Sequence, residues 1–553
     1  MTRSWGRVRG LRLLAVAAVL GIAGFLLLQR YWIYLPGLLA VLRDPIGPTR
    51  DVVWGAGPEQ AVAPPGERPP NVILILADDL GYNDVSYGGG GVAGGAVRTP
   101  NIDSIATAGV TFTHAYAGNA TCAPSRASIL TGRYATRFGF EFTPAPAPFM
   151  RLVAHRTPGA VFHADRVREA PPLAEQAVPG DEVTIADLLK TRGYRTLHLG
   201  KWHLGETDTT RPEARGFDEA LGFLPGGSLY LPKNDSNVVG SVQDYDPIDT
   251  FLWANLPFAV TNNRSPRFTP PRYMTDYLAD EAARAITANR NRPFFMYLAF
   301  NAPHTPLQAL RSDYDALASI ADHRLRVYAA MIRALDRGVG RVLDALRENG
   351  LERDTLVIFT SDNGGAHYIG LPDVNRPFRG WKATFFEGGI HVPFVAQWPA
   401  VLPRGVRFDP SVAHVDIFST AAAAAGAELP RDRTIDGLDL VPFVVGRAAI
   451  LPRRALFWRS GHYRTVIAGD WKLQVSEHPP KSWLFDLRTD PTEQRNRAES
   501  EPEKVRELRA LLADYEAQQK APLWPSLLEA PVAIDHPLGV PGGPDDEYVN
   551  WAN

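Results

Sequence analysis

The sequence predicts an α/β fold: a large mixed, mostly parallel sheet sandwiched by helices, followed by a small C-terminal antiparallel sheet with one helix. Three observations predict it. Short, continuous apolar runs recur at residues 71–77, 196–199, 294–300 and 355–360, as expected of central parallel strands buried on both faces. Helical patterns lie between them at 184–191 and 325–349, the second ending at Gly350 as a helix stop. Beyond about residue 441 the texture changes to short strand patterns at 455–459, 463–468, 471–475 and 483–487, then a helical pattern at 502–519.

The amino terminus carries the first signal in chain order. Arg3, Arg7, Arg9 and Arg12 precede an uncharged apolar run at 13–28, and a second run at 31–42 is broken by Pro36 and Gly37. The sixteen residues of the first run span about 24 Å as a helix, against roughly 30 Å of bilayer core. Arg30, Tyr31 and Trp32 at the interface would cover the difference. Residues 1–45 are therefore expected to be a membrane anchor with the catalytic part outside the cytoplasm, periplasmic or extracellular, or a signal peptide whose cleavage releases a secreted protein. Residues 46–70, rich in Pro, Gly and mixed charge, read as a linker. Residues 71–440 are expected to form the catalytic domain, and 441–553 a C-terminal α+β subdomain with a Pro-rich, acidic tail from about 521 that wraps the surface or is disordered.

Composition limits the function classes. At 553 residues the chain exceeds what one core usually organises, and 45% hydrophobic with 21% charged residues is a globular balance. A net charge of −2 gives no reason to expect a nucleic-acid partner. One cysteine forbids an intramolecular disulfide. No motif encodes the oligomeric state.

Polar groups follow each predicted strand, at the sheet edge where open α/β folds bind ligands. Asp78 and Asp79 follow the first run, Lys201 and His203 the second, His304 the third, and Asp362 and Asn363 the fourth. The Asp-Asp and Asp-Asn pairs could each close a turn, but together they offer hard oxygen donors that suit Ca²⁺ or Mg²⁺ rather than a soft metal. Lys201 and His203, two apart on an extended segment, point to one side. Pro303 and Pro306 bracket His304 and fix its loop, as a positioned proton donor requires.

The sole cysteine, Cys122, lies in the stretch 121–134 with Pro124, Ser125, Arg126 and an apolar face at Ile129 and Leu130. Pro124 should hold Ala123 extended, so that Ser125 or a neighbour caps a helix running through Arg126. That sets the cysteine at a helix N-terminus beside a cation, a place built for negative charge.

Cys122-Ala123-Pro124-Ser125-Arg126, followed by Leu130-Thr131-Gly132-Arg133, resembles the signature of the sulfatase family. The resemblance extends to Gly200-Lys201-Trp202-His203-Leu204-Gly205, to Ala302-Pro303-His304-Thr305-Pro306, to Ser361-Asp362-Asn363-Gly364, to the segment around Lys382 and to the C-terminal strands. At position 391 the family's common Arg is His. The resemblance implies a sulfuric ester hydrolase of the alkaline phosphatase superfamily. In it a maturation enzyme oxidises Cys122 to formylglycine (3-oxoalanine), and Asp78, Asp79, Asp362 and Asn363 bind Ca²⁺, with Mg²⁺ the other candidate. The catalytic set implied is Cys122, Arg126, Lys201, His203, His304 and Lys382. Lys201, His304, Lys382 and Ser228 would contact the sulfate. Ser228 falls where some relatives place such a contact, although Gly226-Gly227-Ser228 also reads as a turn.

The implied mechanism has one hydroxyl of the hydrated aldehyde attack sulfur, His304 with Lys382 protonate the leaving oxygen, and His203 take the proton that expels sulfate. Phosphomonoester or phosphonate monoester hydrolysis on the same framework is the alternative. A sulfated carbohydrate is the preferred substrate class and an aryl sulfate the laboratory one, with specificity assigned to the insertion 144–180 and the loop 226–272. His198 reads as a strand residue and His367 as a group at the substrate mouth.

Overall fold

The computed structural model describes residues 13–21, 24, 31–64, 67–452, 455–543 and 546–553. Among them a nine-stranded sheet runs Val406–Phe408, Val110–Phe112, Phe394–Gln397, Thr355–Ser361, Asn71–Ala77, Phe294–Ala299, Arg195–Lys201, Glu219–Phe223, Thr261–Asn262 in spatial order. The five strands from Thr355–Ser361 to Glu219–Phe223 are parallel to one another. Antiparallel neighbours flank that parallel centre on both sides. The predicted fold class is the observed one.

Alternation along the central strands assigns each side chain to a layer. Ile73, Ile75, Met296, Leu298, Val357 and Phe359 face the helices Met274–Ala288 and His323–Glu348. Val72, Leu74, Leu76, Phe295, Tyr297, Leu356 and Ile358 face Cys122–Thr131, Ile185–Lys190 and Val415–Ala424. Each such side chain, buried against two layers, contributes about 1.5–3 kcal/mol of apolar transfer. The long helix starts where the Asp322 side chain accepts from the Leu325 amide, and it stops before Gly350, whose φ of +67° only glycine adopts easily.

The C-terminal sheet is an antiparallel meander of Leu456–Ser460, Tyr463–Ala468, Trp471–Glu477 and Pro480–Asp486, covered by the helix Pro502–Glu516 through Leu508 and Leu512. Two local expectations differ from the structure, and a third, left open, is decided by it. The helix of the Cys122 segment begins at Cys122 itself, with Thr121 as the extended cap residue, and Ser125 sits inside it. Pro124 is accommodated because its missing N–H falls in the first turn, where no intrahelical partner exists. Of the two forms expected for the acidic tail, its described residues show the ordered one: Leu528–Ala533 pairs with Tyr548–Ala552 and with Val161–Phe162 of the insertion. Finally, the linker stretch lies on the body, with Val52 and Trp54 buried and the Trp54 indole donating to Glu281.

The amino-terminal expectation falls in part outside the described residues. Within them, Leu35–Arg43 is a helix with Leu38, Leu39, Val41 and Leu42 exposed. It docks on Pro247–Asn255 through a bond from the Gly37 amide to Asn255 (2.7 Å). No helix among the described residues is long and apolar enough to cross a membrane.

Candidate active site

The parallel strands deliver their following residues to one edge. Backbone pairing runs one residue past the strands: the Asp78 amide donates to Ala302 and the Asp362 amide to Ala77, both at 3.1 Å. Asp78 and Asp362 thereby stand side by side, and the Asp79 amide donates to Asp362 Oδ1 (3.1 Å). Asn363 Nδ2 donates to Asp79 Oδ1 at 2.8 Å. All four residues are almost fully buried.

Three cations answer the three carboxylates. Lys201 Nζ lies 2.7 Å from Asp78 Oδ2. Arg126 pairs with Asp362 at 2.8 Å and stands 3.5 Å from Asp78 Oδ1. Lys382 Nζ is 2.8 Å from Asp79 and donates to the Tyr368 hydroxyl (3.1 Å), which itself donates to Asp79 (2.9 Å). Burial alone would raise the carboxyls of Asp78 and Asp79, but Lys201 acting on the first and Lys382 on the second outweigh it and hold both low. Asp362 goes the other way, raised by burial and by Asp78 beside it.

The arrangement fits a divalent ion. Asp78 Oδ1 and Asn363 Oδ1 are buried without a hydrogen-bond partner, a costly state for an oxygen unless something coordinates it. Carboxylate and amide oxygens are the donors a hard cation takes. The fixed charges cancel without an ion, so a bound divalent cation would leave the pocket positive, as an anionic substrate requires.

Cys122 opens its helix at the floor of this cluster, 2% exposed, with Sγ 3.8 Å from Asp79 Oδ1. Burial pushes its thiol up to about 12, so the unmodified side chain is protonated at neutral pH. His304 directs Nδ1 at the Thr305 carbonyl and leaves Nε2 facing the site, 3.7 Å from Asp79 Oδ2. Burial lowers its pKa against the opposing pull of Asp78 and Asp79. His203, at φ +62°, lines the same space, and burial together with Lys201 and Arg126 keeps it well below its ordinary value. The neutral imidazole is the form that accepts a proton.

Above Cys122 opens a cavity of about 250 Å³. The insertion supplies Pro146, Phe149 and Leu173, the 226–272 loop Ile248, Phe251 and Leu256, and the tail Trp551. Both predicted specificity segments thus meet over Cys122, and His367 lines the same cavity, pushed by burial down to about 4. Ser228 is the exception. Its hydroxyl donates to the main-chain oxygens of Leu229 and Pro257 (3.1 Å each), and it does not line the cavity. The hydroxyl expected at the sulfate is thus directed at main-chain oxygens of its own turn and of the Pro257 segment. His198 is a strand residue as expected, packed against Trp202, Phe217 and Tyr297 and pushed by burial to about 3. His391 Nε2 donates to the Thr113 carbonyl (2.8 Å) and its Nδ1 pairs with Glu387 (2.7 Å), outside the cavity.

Five further residues shape the site without having been expected there. Tyr368 ties Lys382 to Asp79, and the Tyr230 hydroxyl donates to the carbonyls of Asn301 and His304, setting that loop. Trp551 and Asn553 close the cavity from the far end of the chain. Gly226 leaves room for the His203 ring: a Cβ there would fall 2.6 Å from His203 Nε2. Only Gly226 carries a usable signal, its place in a Gly-Gly pair after the strand Glu219–Phe223.

Comparison with known proteins agrees with this geometry. The family model described as Sulfatase matches residues 70–427. Steryl-sulfatase of Mus musculus is 33% identical, covering 83% of this chain and 82% of that protein. N-acetylgalactosamine-6-sulfatase of Mus musculus is also 33% identical, over 74% of this chain and 72% of its own. The crystal structure of Ps i-CgsB in complex with k-i-k-neocarrahexaose superposes with a TM-score of 0.68 at 31% identity, covering 83% of this chain and 95% of that one.

Proposed function

The chain belongs to the sulfatase family and is an enzyme that hydrolyses sulfate esters; from that premise we propose that it cleaves sulfate monoesters of an apolar alcohol at an oxidised Cys122 beside a divalent ion. The observation that carries this reading is the convergence on Cys122 of two orphaned oxygens, three cations and two histidines beneath an apolar cavity. Ca²⁺ or Mg²⁺ held by Asp78, Asp79, Asp362 and Asn363 would supply positive charge opposite the sulfate oxygens, and Cys122, converted to formylglycine by a maturation enzyme, would supply as its hydrate the oxygen that attacks sulfur.

The remaining steps belong to the chain's own side chains. Lys201 and Lys382 turn from Asp78 and Asp79 to the sulfate oxygens, where charge grows in the transition state. Arg126, locked between Asp362 and Asp78, orients the nucleophile. The sulfate anion adds to the pull of Asp78 and Asp79 on an His304 proton, and His304 Nε2 with Lys382 Nζ delivers that proton to the leaving alcohol. Neutral His203 accepts the proton released as sulfate is expelled. Phe149, Phe251, Ile248 and Leu256 bury the alcohol, and they offer no polar partner to a sugar hydroxyl.

A second reading, a sulfated saccharide, is favoured by the sugar bound in Ps i-CgsB, 31% identical to this chain. Steady-state rates on a polycyclic aryl sulfate, a sulfated galactose and the matching aryl phosphate separate the readings. One extra buried ring removes about 100 Å² of apolar surface from water, worth about 2.5 kcal/mol or roughly 10²-fold in kcat/KM. The polycyclic sulfate is expected to lead by that factor. A faster saccharide would select the second reading, and a faster phosphate would select phosphomonoester or phosphonate hydrolysis.

A further inference from the structure

Away from the active site, three segments bring imidazoles to one carboxylate on a fourth. His462 lies in the turn between Leu456–Ser460 and Tyr463–Ala468, and His478 in the turn between Trp471–Glu477 and Pro480–Asp486, so both leave the same end of the C-terminal sheet. Glu529 comes from Leu528–Ala533, and His163 directly follows Val161–Phe162, the strand paired with it. One ring nitrogen of His462, one of His478 and one oxygen of Glu529 lie within 4.8 Å of one another. Glu529 Oε2 is 3.2 Å from His478 Nδ1 and 3.8 Å from His462 Nε2, and Glu529 Oε1 is 3.2 Å from His163 Nε2.

Two further observations point to a ligand. The His462 side chain is only 8% exposed, yet neither of its ring nitrogens has a hydrogen-bond partner. An imidazole carries a donor and an acceptor to satisfy, so this burial is unfavourable as it stands. Among the described residues, the charged partners of Glu529 are these three histidines, with no Arg or Lys competing for it.

We propose that His462, His478 and Glu529, with His163 as the fourth ligand, bind Zn²⁺ or a closely similar divalent d-block ion. Imidazole and carboxylate at four positions are the donors zinc takes, whereas the active-site quartet is all oxygen and suits a harder ion. Tetrahedral bonds of about 2.0–2.2 Å put ligand atoms about 3.3–3.6 Å apart, and Glu529 Oε2 lies 3.2 Å from His478 Nδ1 and 3.8 Å from His462 Nε2, while His163 approaches the other carboxylate oxygen at 3.2 Å. The His462 lone pair would gain its partner. The ion would tie the C-terminal sheet to the three-stranded sheet whose last strand carries Trp551 into the cavity wall. Its role is structural, and it stands independently of the sulfatase chemistry.

The test uses the full chain stripped with a chelator and titrated with Zn²⁺ alone, read by metal stoichiometry, by competition with a chromophoric chelator and by Tm. Co²⁺ replaces Zn²⁺ for an absorption spectrum. The expected result is one tight ion that excess Ca²⁺ does not displace, a higher Tm with zinc, and a tetrahedral Co²⁺ spectrum. His462→Gln and Glu529→Gln should weaken binding at least ~10²-fold and abolish the Tm shift. His478→Gln, altering a side chain 58% exposed, tests the same loss without threatening the fold. Wild-type zinc affinity in His478→Gln, no retained zinc in the parent, or binding lost only in Asp362→Asn would each overturn the proposal.

Discussion

Cys122→Ala is expected to lower sulfate ester hydrolysis by about 10⁵-fold or more, since loss of a nucleophile that works with its partners as a unit costs on that scale. The substitution trims one small side chain at the cavity floor, at the first position of a helix whose other residues are all buried. The fold should therefore persist, with circular dichroism unchanged and Tm within a few degrees of the parent. Turnover near the parental rate in a folded Cys122→Ala protein would refute the assignment of the nucleophile.

Lys201→Ala is expected to act on rate and stability together. Lys201 is fully buried and its 2.7 Å pair with Asp78 is the shortest cation contact to that carboxylate. Loss of one preorganised donor to a growing oxyanion costs about 10²–10³-fold in kcat. Removing one partner of a buried ion pair strands the other charge, at about 3–5 kcal/mol. The variant should show both effects, and added Ca²⁺ should recover part of the lost stability by taking over Asp78. A Lys201→Ala protein with parental kcat would place the sulfate elsewhere. Arginine is no conservative substitute, because its planar fork does not fit a cleft shaped around an ammonium.

The legible parts of the molecule are those in which one local segment fixes the outcome. The apolar run at 71–77 has no solvent face, so it reads as a strand buried on both sides, and the polar residues after it fall at the sheet edge by topology alone. Asp78, Lys201, His304 and Asp362 converge for that reason. The misses depend on partners distant in sequence. The Ser228 hydroxyl is claimed by the Pro257 carbonyl, 29 positions away. Tyr368 matters because Lys382 and Asp79 reach it from two other elements. Composition leaves the tail either wrapped on the surface or disordered, and only the distant partners decide: Leu528–Ala533 pairs with the insertion strand Val161–Phe162 and with Tyr548–Ala552, and the latter carries Trp551 to the cavity. The cap at Thr121 differs from the expected Ser125 because a proline in a helix's first turn need not interrupt it.

Sulfate ester hydrolysis by the proposed route requires an oxidised side chain at position 122 held among cations and hard oxygens. The most direct measurement is the mass of the tryptic peptide covering residues 99–126, taken from preparations of known specific activity. The expected result is a peptide lighter than the cysteine form by the thiol-to-aldehyde difference, with activity rising in proportion to its fraction. Full activity in preparations that contain the unmodified thiol alone would contradict the account.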